Sequence, residues 1–266
     1  MAGYADDLAL AHTLADAADA IAMARFRSLD LKVEAKPDLT PVSDADTAVE
    51  KSIRATLARA RPRDSVLGEE FGRSEAAAGP GTRHWVIDPI DGTKNYVRGV
   101  PIWATLIALM EGDTPVVGLV SAPALGRRWW AARGLGAFAG RHQHAATRIE
   151  VSRVRRLADA SFCYASLNGW QDNGRLPQML DILLGVWRSR AYGDFYGYML
   201  LAEGALDAMA EPELSLWDMA ALIPIITEAG GKVTDLDGRT CADHSSVVAT
   251  NGLLHESVLT ALTPRG

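Results

Sequence analysis

A layered fold that mixes helices and strands, α/β or α+β, is predicted by three observations. Two segments with helical spacing open the chain. Four short apolar segments between Trp103 and Ala139 follow, separated by Gly and Asp turns as in successive strands. Helical and extended segments then alternate to the C-terminus, the pattern of stacked layers. No internal repeat and no long linker interrupts the 266 residues. We therefore expect one domain over 1–266, with sub-lobes of approximately 1–150 and 151–266.

The first helix spans Tyr4 to Leu29, with Leu10, Leu14, Ala17, Ile21 and Ala24 at helical spacing and Asp6, Asp16 and Asp19 facing water. Lys32 to Val42 carries Pro37 and Pro41 and is expected to be a loop. Ser43-Asp44-Ala45-Asp46 then precedes Val49, Ile53 and Leu57, which marks a capped helix start with Asp44 as the candidate N-cap. Arg61-Pro62 ends that helix. Ser65–Leu67 is a short strand that empties into Gly68-Glu69-Glu70, and Ser74–Gly81 is an Ala/Gly/Pro-rich surface loop.

An apolar strand follows and reaches Asp88, where Pro89 is expected to stop it. Strands then come at Trp103–Met110, Val116–Ser121, Arg128–Ala132 and Ala137–Ala139. Beyond the polar connection Arg141–Arg148, where His142 and His144 are expected to be exposed, Ser161–Ala165 is a strand, Leu176–Gly185 a helix and Trp187–Ala191 a strand. A helix begins at Gly193-Asp194, and the strand Leu206–Ala210 leads to Glu211. A strongly apolar helix opens at Leu216-Trp217-Asp218 and closes at Gly230-Gly231, a glycine C-cap. Strands at Lys232–Thr234 and Val247–Thr250 and a helix from Leu253 complete the chain.

Composition excludes several classes. Hydrophobic residues at 48% and charged residues at 23% are globular values, which argues against disorder. The net charge of −6, with no Lys/Arg cluster interleaved with aromatics, argues against nucleic acid as a partner. An acidic protein that acts on anions needs local positive charge such as a metal ion. Cys163 and Cys241 lack metal-ligand spacing and are expected to be reduced thiols. Asp6 and Asp7 stand where a signal peptide needs basic and then apolar residues, and apolar runs such as Gly99–Met110 are too short to span a bilayer. The expectation is a soluble, cytoplasmic protein with no membrane partner.

The most informative stretch is His84–Tyr96. Asp88 and Asp91 frame a turn made by Pro89, Gly92 and Thr93, so that two carboxylates, a carbonyl and a hydroxyl share one turn. Such a turn also forms with acids that merely cap the backbone. A calcium loop needs alternating oxygen ligands and a distant glutamate, which this turn lacks. A phosphotransferase with a nucleophilic aspartate usually has its acids two residues apart, and here the spacing is three. Asp44, Glu69 and Asp218 stand, like Asp88 and Asp91, at the ends of elements, where side chains converge on clefts. Several carboxylates in one place need cations. Oxygen-only ligation with open positions suits Mg²⁺, and no zinc-type Cys/His set is visible.

Gly68-Glu69-Glu70, the run Asp88-Pro-Ile-Asp-Gly-Thr-Lys-Asn95, and Trp217-Asp218 followed by Glu228-Ala-Gly-Gly231 resemble, in order and spacing, the motifs of the inositol monophosphatase family. The resemblance covers nearly the whole chain. It implies the layered αβαβα sandwich shared with fructose-1,6-bisphosphatase, commonly a homodimer, and Mg²⁺-dependent hydrolysis of a small phosphorylated metabolite with two or three ions per site. Position by position it implies that Glu69, Asp88 and the Ile90 carbonyl hold one metal, and that Asp88, Asp91 and Asp218 hold a second. Gly92 and Thr93 match the phosphate-binding residues. Thr93 paired with Asp44 matches the couple that activates water, assisted by Glu69. Lys36 aligns with a lysine near the site, while Lys94 and Arg98 are either phosphate-steering or merely solvated.

For the substrate, the matching positions are Asp194 and Glu211. The run Gly193-Asp-Phe-Tyr-Gly-Tyr198 is similar to the histidinol-phosphate phosphatase branch rather than to inositol phosphatases, which have small neutral residues at the Asp194 position. Histidinol phosphate carries an ammonium and an imidazole, and an aspartate facing the leaving group can pair with the ammonium. The competing role for Asp194 is a helix N-cap. Inositol monophosphate or a broader set of sugar phosphates is the alternative substrate. A metal-binding regulator without catalysis is the non-enzymatic alternative, against which the intact acidic set argues.

Overall fold

Two helices, α1 (Ala5–Arg25) and α2 (Asp44–Ala60), cover one face of an eight-stranded sheet in the computed structural model, which describes residues 3–37, 39–74, 83–239 and 246–264. The sheet comprises β3 (Ser65–Gly68), β4 (Gly72–Arg73), β5 (Arg83–Asp91), β6 (Ala104–Glu111), β7 (Thr114–Ala122), β8 (Arg127–Ala132), β9 (Gly136–Gly140) and β10 (Thr147–Arg148). Their order is β10-β9-β8-β7-β6-β5-β3-β4, and the β3–β5 pair alone is parallel among the described strands of this sheet. Period-two alternation sends Trp85 and Ile87 of β5 towards α1 and α2, and Val86 to the opposite face.

On that opposite face lie α6 (Asp194–Ala202), α7 (Leu216–Met219) and α8 (Leu222–Glu228), whose Tyr198, Met199, Leu222, Ile225 and Ile226 share a core with the first sheet. The same layer packs on Met209, Val247 and Ala249 of a second sheet. This five-stranded sheet has the order β12 (Arg188–Arg190), β11 (Ser161–Cys163), β13 (Ala208–Glu211), β15 (Val247–Thr250), β14 (Lys232–Thr234). Its far face is closed by α4 (Asn168–Asp172), α5 (Leu176–Gly185) and α9 (His255–Leu262) through Trp170, Met179, Ile182 and Val258. The result is the expected αβαβα order. Close approach fixes the layers: a Cβ on Gly118 of β7 would lie 2.1 Å from the Ala221 carbonyl oxygen.

Five local expectations are corrected. Helix α1 buries Ala11, Leu14, Ala15, Ala18 and Ala22, so its contact stripe is made of small residues and is turned from the expected one. Asp19 does not face water: it accepts the Ser121 hydroxyl at 2.8 Å and a guanidinium hydrogen bond from Arg128. The Lys32–Val42 stretch is a hairpin of β1 (Val33–Ala35) and β2 (Pro41–Ser43) rather than a loop. The helix from Leu216 is broken at Ala220–Ala221, and Pro224 lies in the first turn of the second piece, where its missing N–H costs nothing.

The fifth correction bears on the site. Pro89 does not stop β5, which continues to Asp91 through a bulge: Asp88 pairs with Leu106 and Asp91 with Ala104, three steps against two. Proline is admitted at such a bulge because it has no N–H to give the ladder, and the Thr105 hydroxyl binds its carbonyl at 2.8 Å. Cys163 is a buried thiol, His142 and His144 are exposed, and Cys241 and the 75–81 part of the predicted surface loop lie outside the described residues.

Candidate active site

The β5 bulge turns Asp88 and Asp91 towards one point, which α7 completes with Asp218. One carboxylate oxygen from each of the three lies within 4.8 Å of the others. Asp88 is 1% exposed. Each acid is fixed by one backbone N–H: Ile90 to Asp88 at 3.0 Å, Phe195 to Asp91 at 2.7 Å and Ser215 to Asp218 at 2.7 Å. Among the described residues none of the three forms an ion pair. Burial, followed by the charges of Glu69, Asp91 and Asp218, holds the Asp88 carboxyl well above its ordinary pKa. Asp91 is raised by burial and by Asp194 and Asp218. Asp218 is pushed up to about 6, again mainly by burial. Buried acids with oxygen donors only, no counter-cation and mutual repulsion are a fit for a hard divalent cation.

Glu69 leaves β3 beside this cluster, its backbone N–H on the Ile87 carbonyl at 3.2 Å. Its carboxylate is bound by Lys36, whose Nζ lies 2.7 Å from Glu69 and 2.8 Å from Glu70. Lys36 therefore stands in the place of a cation between two acids. The Ile90 side chain is core, but its carbonyl accepts the Thr93 hydroxyl at 2.9 Å. Gly92, which precedes the short helix α3 (Thr93–Val97), has φ +81°, and a Cβ there would lie 3.1 Å from the Ile102 carbonyl oxygen and 3.2 Å from an Asp194 oxygen. Glycine is needed at this turn for both conformation and room.

The expected Thr93–Asp44 couple is not formed. Asp44 is held by Arg25 at 2.7 Å, on the outer side of α2. The carboxylate that meets Thr93 is Asp46, 3.4 Å from the hydroxyl and completely buried. Ser43, not Asp44, is the N-cap of α2. Asp46 is its capping-box partner, with Oδ2 on the Ser43 N–H and Oδ1 towards Thr93. Helical spacing carried this signal: Asp46 shares the Val49, Glu50, Ile53, Leu57 face, whereas Asp44 is rotated off it. Burial raises the Asp46 pKa, with hydrogen bonds from Ser43 opposing.

A cleft of about 300 Å³ opens over these groups, lined by residues that include Glu69, Gly92, Thr93, Asp194, Trp217 and Asp218. Lys94 is an exposed part of its wall, while Arg98 is exposed and does not line it. Asp194 is not the N-cap of α6, a place taken by Gly193, and its side chain accepts the Asn95 amide at 3.1 Å. Its φ of +48° is an unusual conformation for a residue other than glycine, of the kind that persists at functional sites. Glu211 is not on the cleft wall. It is 6% exposed, accepts the Tyr198 hydroxyl at 2.9 Å, and is pushed up to about 8 chiefly by burial.

Fold and site together define a phosphatase-type αβαβα hydrolase whose acidic cleft is suited to a divalent cation. The chain belongs to the inositol monophosphatase family, whose model matches residues 5–265. It is 63% identical to a histidinol-phosphatase of Streptomyces coelicolor over an alignment covering 100% of both chains. It is 56% identical to a histidinol-phosphatase of Mycobacterium tuberculosis, covering 97% of this chain and 98% of that one. Among solved structures it superposes on the extragenic suppressor protein suhB from Bartonella henselae with a TM-score of 0.87, at 28% identity, covering 97% of this chain and 99% of that chain. No helix among the described residues is long and apolar enough to cross a membrane.

The raised acids set a pH dependence. An acid whose folded pKa exceeds its unfolded one leaves the folded state holding the extra proton, so stability falls as pH rises between the two values. For Asp218 that window runs from about 4 to about 6, and for Glu211 it extends to about 8. A cation bound to the deprotonated cluster removes the Asp218 part of this loss. In thermal denaturation the rise in Tm caused by saturating Mg²⁺ is expected to be several degrees larger at pH 8 than at pH 5. An equal rise at both pH values contradicts the cation site.

Proposed function

We propose that this chain is a Mg²⁺-dependent histidinol-phosphate phosphatase of histidine biosynthesis, converting L-histidinol phosphate and water to L-histidinol and phosphate. One juxtaposition supports the reading: the Asp194 carboxylate lines the cleft next to Gly92, where a Cβ would lie 3.2 Å from one of its oxygens. The relatives named histidinol-phosphatase, at 63% and 56% identity over essentially the whole chain, support the same substrate. A cytoplasmic homodimer is the setting the family suggests.

Glu69, Asp88, the Ile90 carbonyl, Asp91 and Asp218 would hold the Mg²⁺ ions, two or three per site. Bound there, such ions neutralise phosphoryl oxygens and acidify water. Gly92 and Thr93 bound the phosphate, with the glycine leaving room for close backbone approach. Thr93 orients the attacking water through its hydroxyl and passes a proton towards Asp46. The raised pKa of Asp46 makes it a stronger base than an exposed aspartate. Asp194 pairs with the substrate ammonium, held in place by Asn95. Glu211, buried and bonded to Tyr198 of α6, acts on the pocket only through the placement of that helix.

Phosphate release with and without Mg²⁺, using L-histidinol phosphate, inositol 1-phosphate and fructose 1,6-bisphosphate, tests the assignment. Histidinol phosphate is expected to give the highest kcat/KM, and a higher value for inositol 1-phosphate overturns it. Asp194→Gly relaxes the strained backbone and removes the charge. We expect Tm to hold or rise while kcat/KM for histidinol phosphate falls roughly 10- to 100-fold, as for a lost charge-assisted hydrogen bond, with little change for inositol 1-phosphate. Equal losses on both substrates make Asp194 structural.

Asp46→Asn is expected to lower kcat about 100-fold or more, in the range of general base catalysis, and Asp44→Asn less than about threefold. The reverse order contradicts the assignment of Asp46 to Thr93.

A further inference from the structure

One turn beyond Asp46 on α2 stands Glu50, a carboxylate with 0% exposure that is not among the residues lining the cleft. Its Oε2 accepts the Glu70 N–H at 2.8 Å, and its Oε1 accepts the Phe71 N–H at 3.2 Å and the Arg54 Nε at 2.7 Å. The Arg54 guanidinium continues to the Gly72 carbonyl. At Gly68 the chain passes so close that a Cβ would lie 2.0 Å from Glu50 Oε1. Every residue from Gly68 to Gly72 except Glu69 is thus in contact with, or one partner removed from, a single buried acid. Glu69 projects from the middle of that bracket.

A buried carboxylate is costly unless its lone pairs are satisfied, and here backbone donors and one guanidinium supply them. The structural consequence is specific. Asp46 and Glu50 are four residues apart on one helical face, so α2 is a rigid bar joining the carboxylate at Thr93 to the loop that carries Glu69. We propose that Glu50 is a positioning residue that fixes the Glu69 arm for metal binding. The proposal rests on the reading of Glu69 as a metal ligand. Outer partners of this kind orient ligands, and their loss typically weakens metal binding about 10- to 100-fold.

Glu50→Gln is the direct test, because the amide matches the shape but sets an NH₂ group against a backbone N–H. Mn²⁺ binding is followed by electron paramagnetic resonance of the free ion in wild type, Glu50→Gln and Glu69→Gln proteins. The Glu50→Gln protein is expected to lose about 10- to 100-fold affinity at the site that Glu69→Gln also weakens. The site made by Asp88, Asp91 and Asp218 keeps its affinity. Activity at limiting Mg²⁺ falls in the same proportion and is largely restored by excess Mg²⁺. A Glu50→Gln protein with lowered Tm but the wild-type Mn²⁺ isotherm overturns the proposal, because that is what a purely structural acid gives.

Should Glu50→Gln fail to fold, Arg54→Met keeps the Glu50 carboxylate on its backbone donors but removes both its guanidinium partner and the donor to Gly72. A shift of the same site in the same direction supports the proposal, and an unchanged isotherm overturns it. If the wild-type protein binds no Mn²⁺, the metal reading itself falls, and this inference with it.

Discussion

Carboxylates that repel one another, gathered at the end of one strand, are the constraint on which the rest of the structure depends. Asp88, Asp91 and Asp218 each place an oxygen within 4.8 Å of the others, and Glu69 and Asp194 add their fields. At an effective dielectric of about 20, two full charges at that distance repel by about 3 kcal/mol. No fold gathers them for stability alone. Burial first and mutual repulsion second raise their pKa values, so without a cation the cluster keeps protons.

Each layer contributes one part of the arrangement. The parallel β3–β5 pair brings Glu69 and Asp88 out at the same edge, since parallel strands end together. The extra residue in β5 aims Asp91 beside Asp88 instead of placing it on the alternate face. From one side α2 delivers Asp46 to Thr93; from the other, the middle helical layer delivers Asp218 and Asp194. Under the proposed function, chemistry and selectivity fall to different elements. The first sheet, α2 and α7 hold the clustered acids and Asp46, and α6 supplies Asp194, the carboxylate proposed to face the leaving group. Such a division lets relatives with a common fold act on different esters.

Much of this was legible in the sequence, because periodicity and turn chemistry report local structure directly. The helix Leu176–Gly185 and the strands Lys232–Thr234 and Val247–Thr250 match the observed elements residue for residue. The metal-type acids were also legible, since a Pro-Ile-Asp-Gly turn bounds its own geometry. Errors arose where long-range contact decides. Nothing local distinguishes a bulged Pro89 from a strand-ending one; pairing with β6 does that. The alanine stripe of α1 is chosen by the sheet it packs on. The structure sets Asp46 rather than Asp44 beside Thr93, and the helical face that places Val49 and Ile53 inside also places Asp46 there. Glu50 gave no signal as a loop anchor, because its partners are backbone N–H groups twenty residues away.

The central claim is that these acids exist to hold cations for phosphate ester hydrolysis, and Asp88 lies at the centre of the cluster. The most direct measurement is phosphate release from L-histidinol phosphate by the Asp88→Asn protein at saturating Mg²⁺, beside wild type, with circular dichroism confirming the fold. Turnover is predicted to drop by more than the ~100-fold that loss of an outer-sphere partner costs, with Tm in the absence of metal unchanged or higher. Near-normal Mg²⁺-dependent turnover by Asp88→Asn would contradict the account.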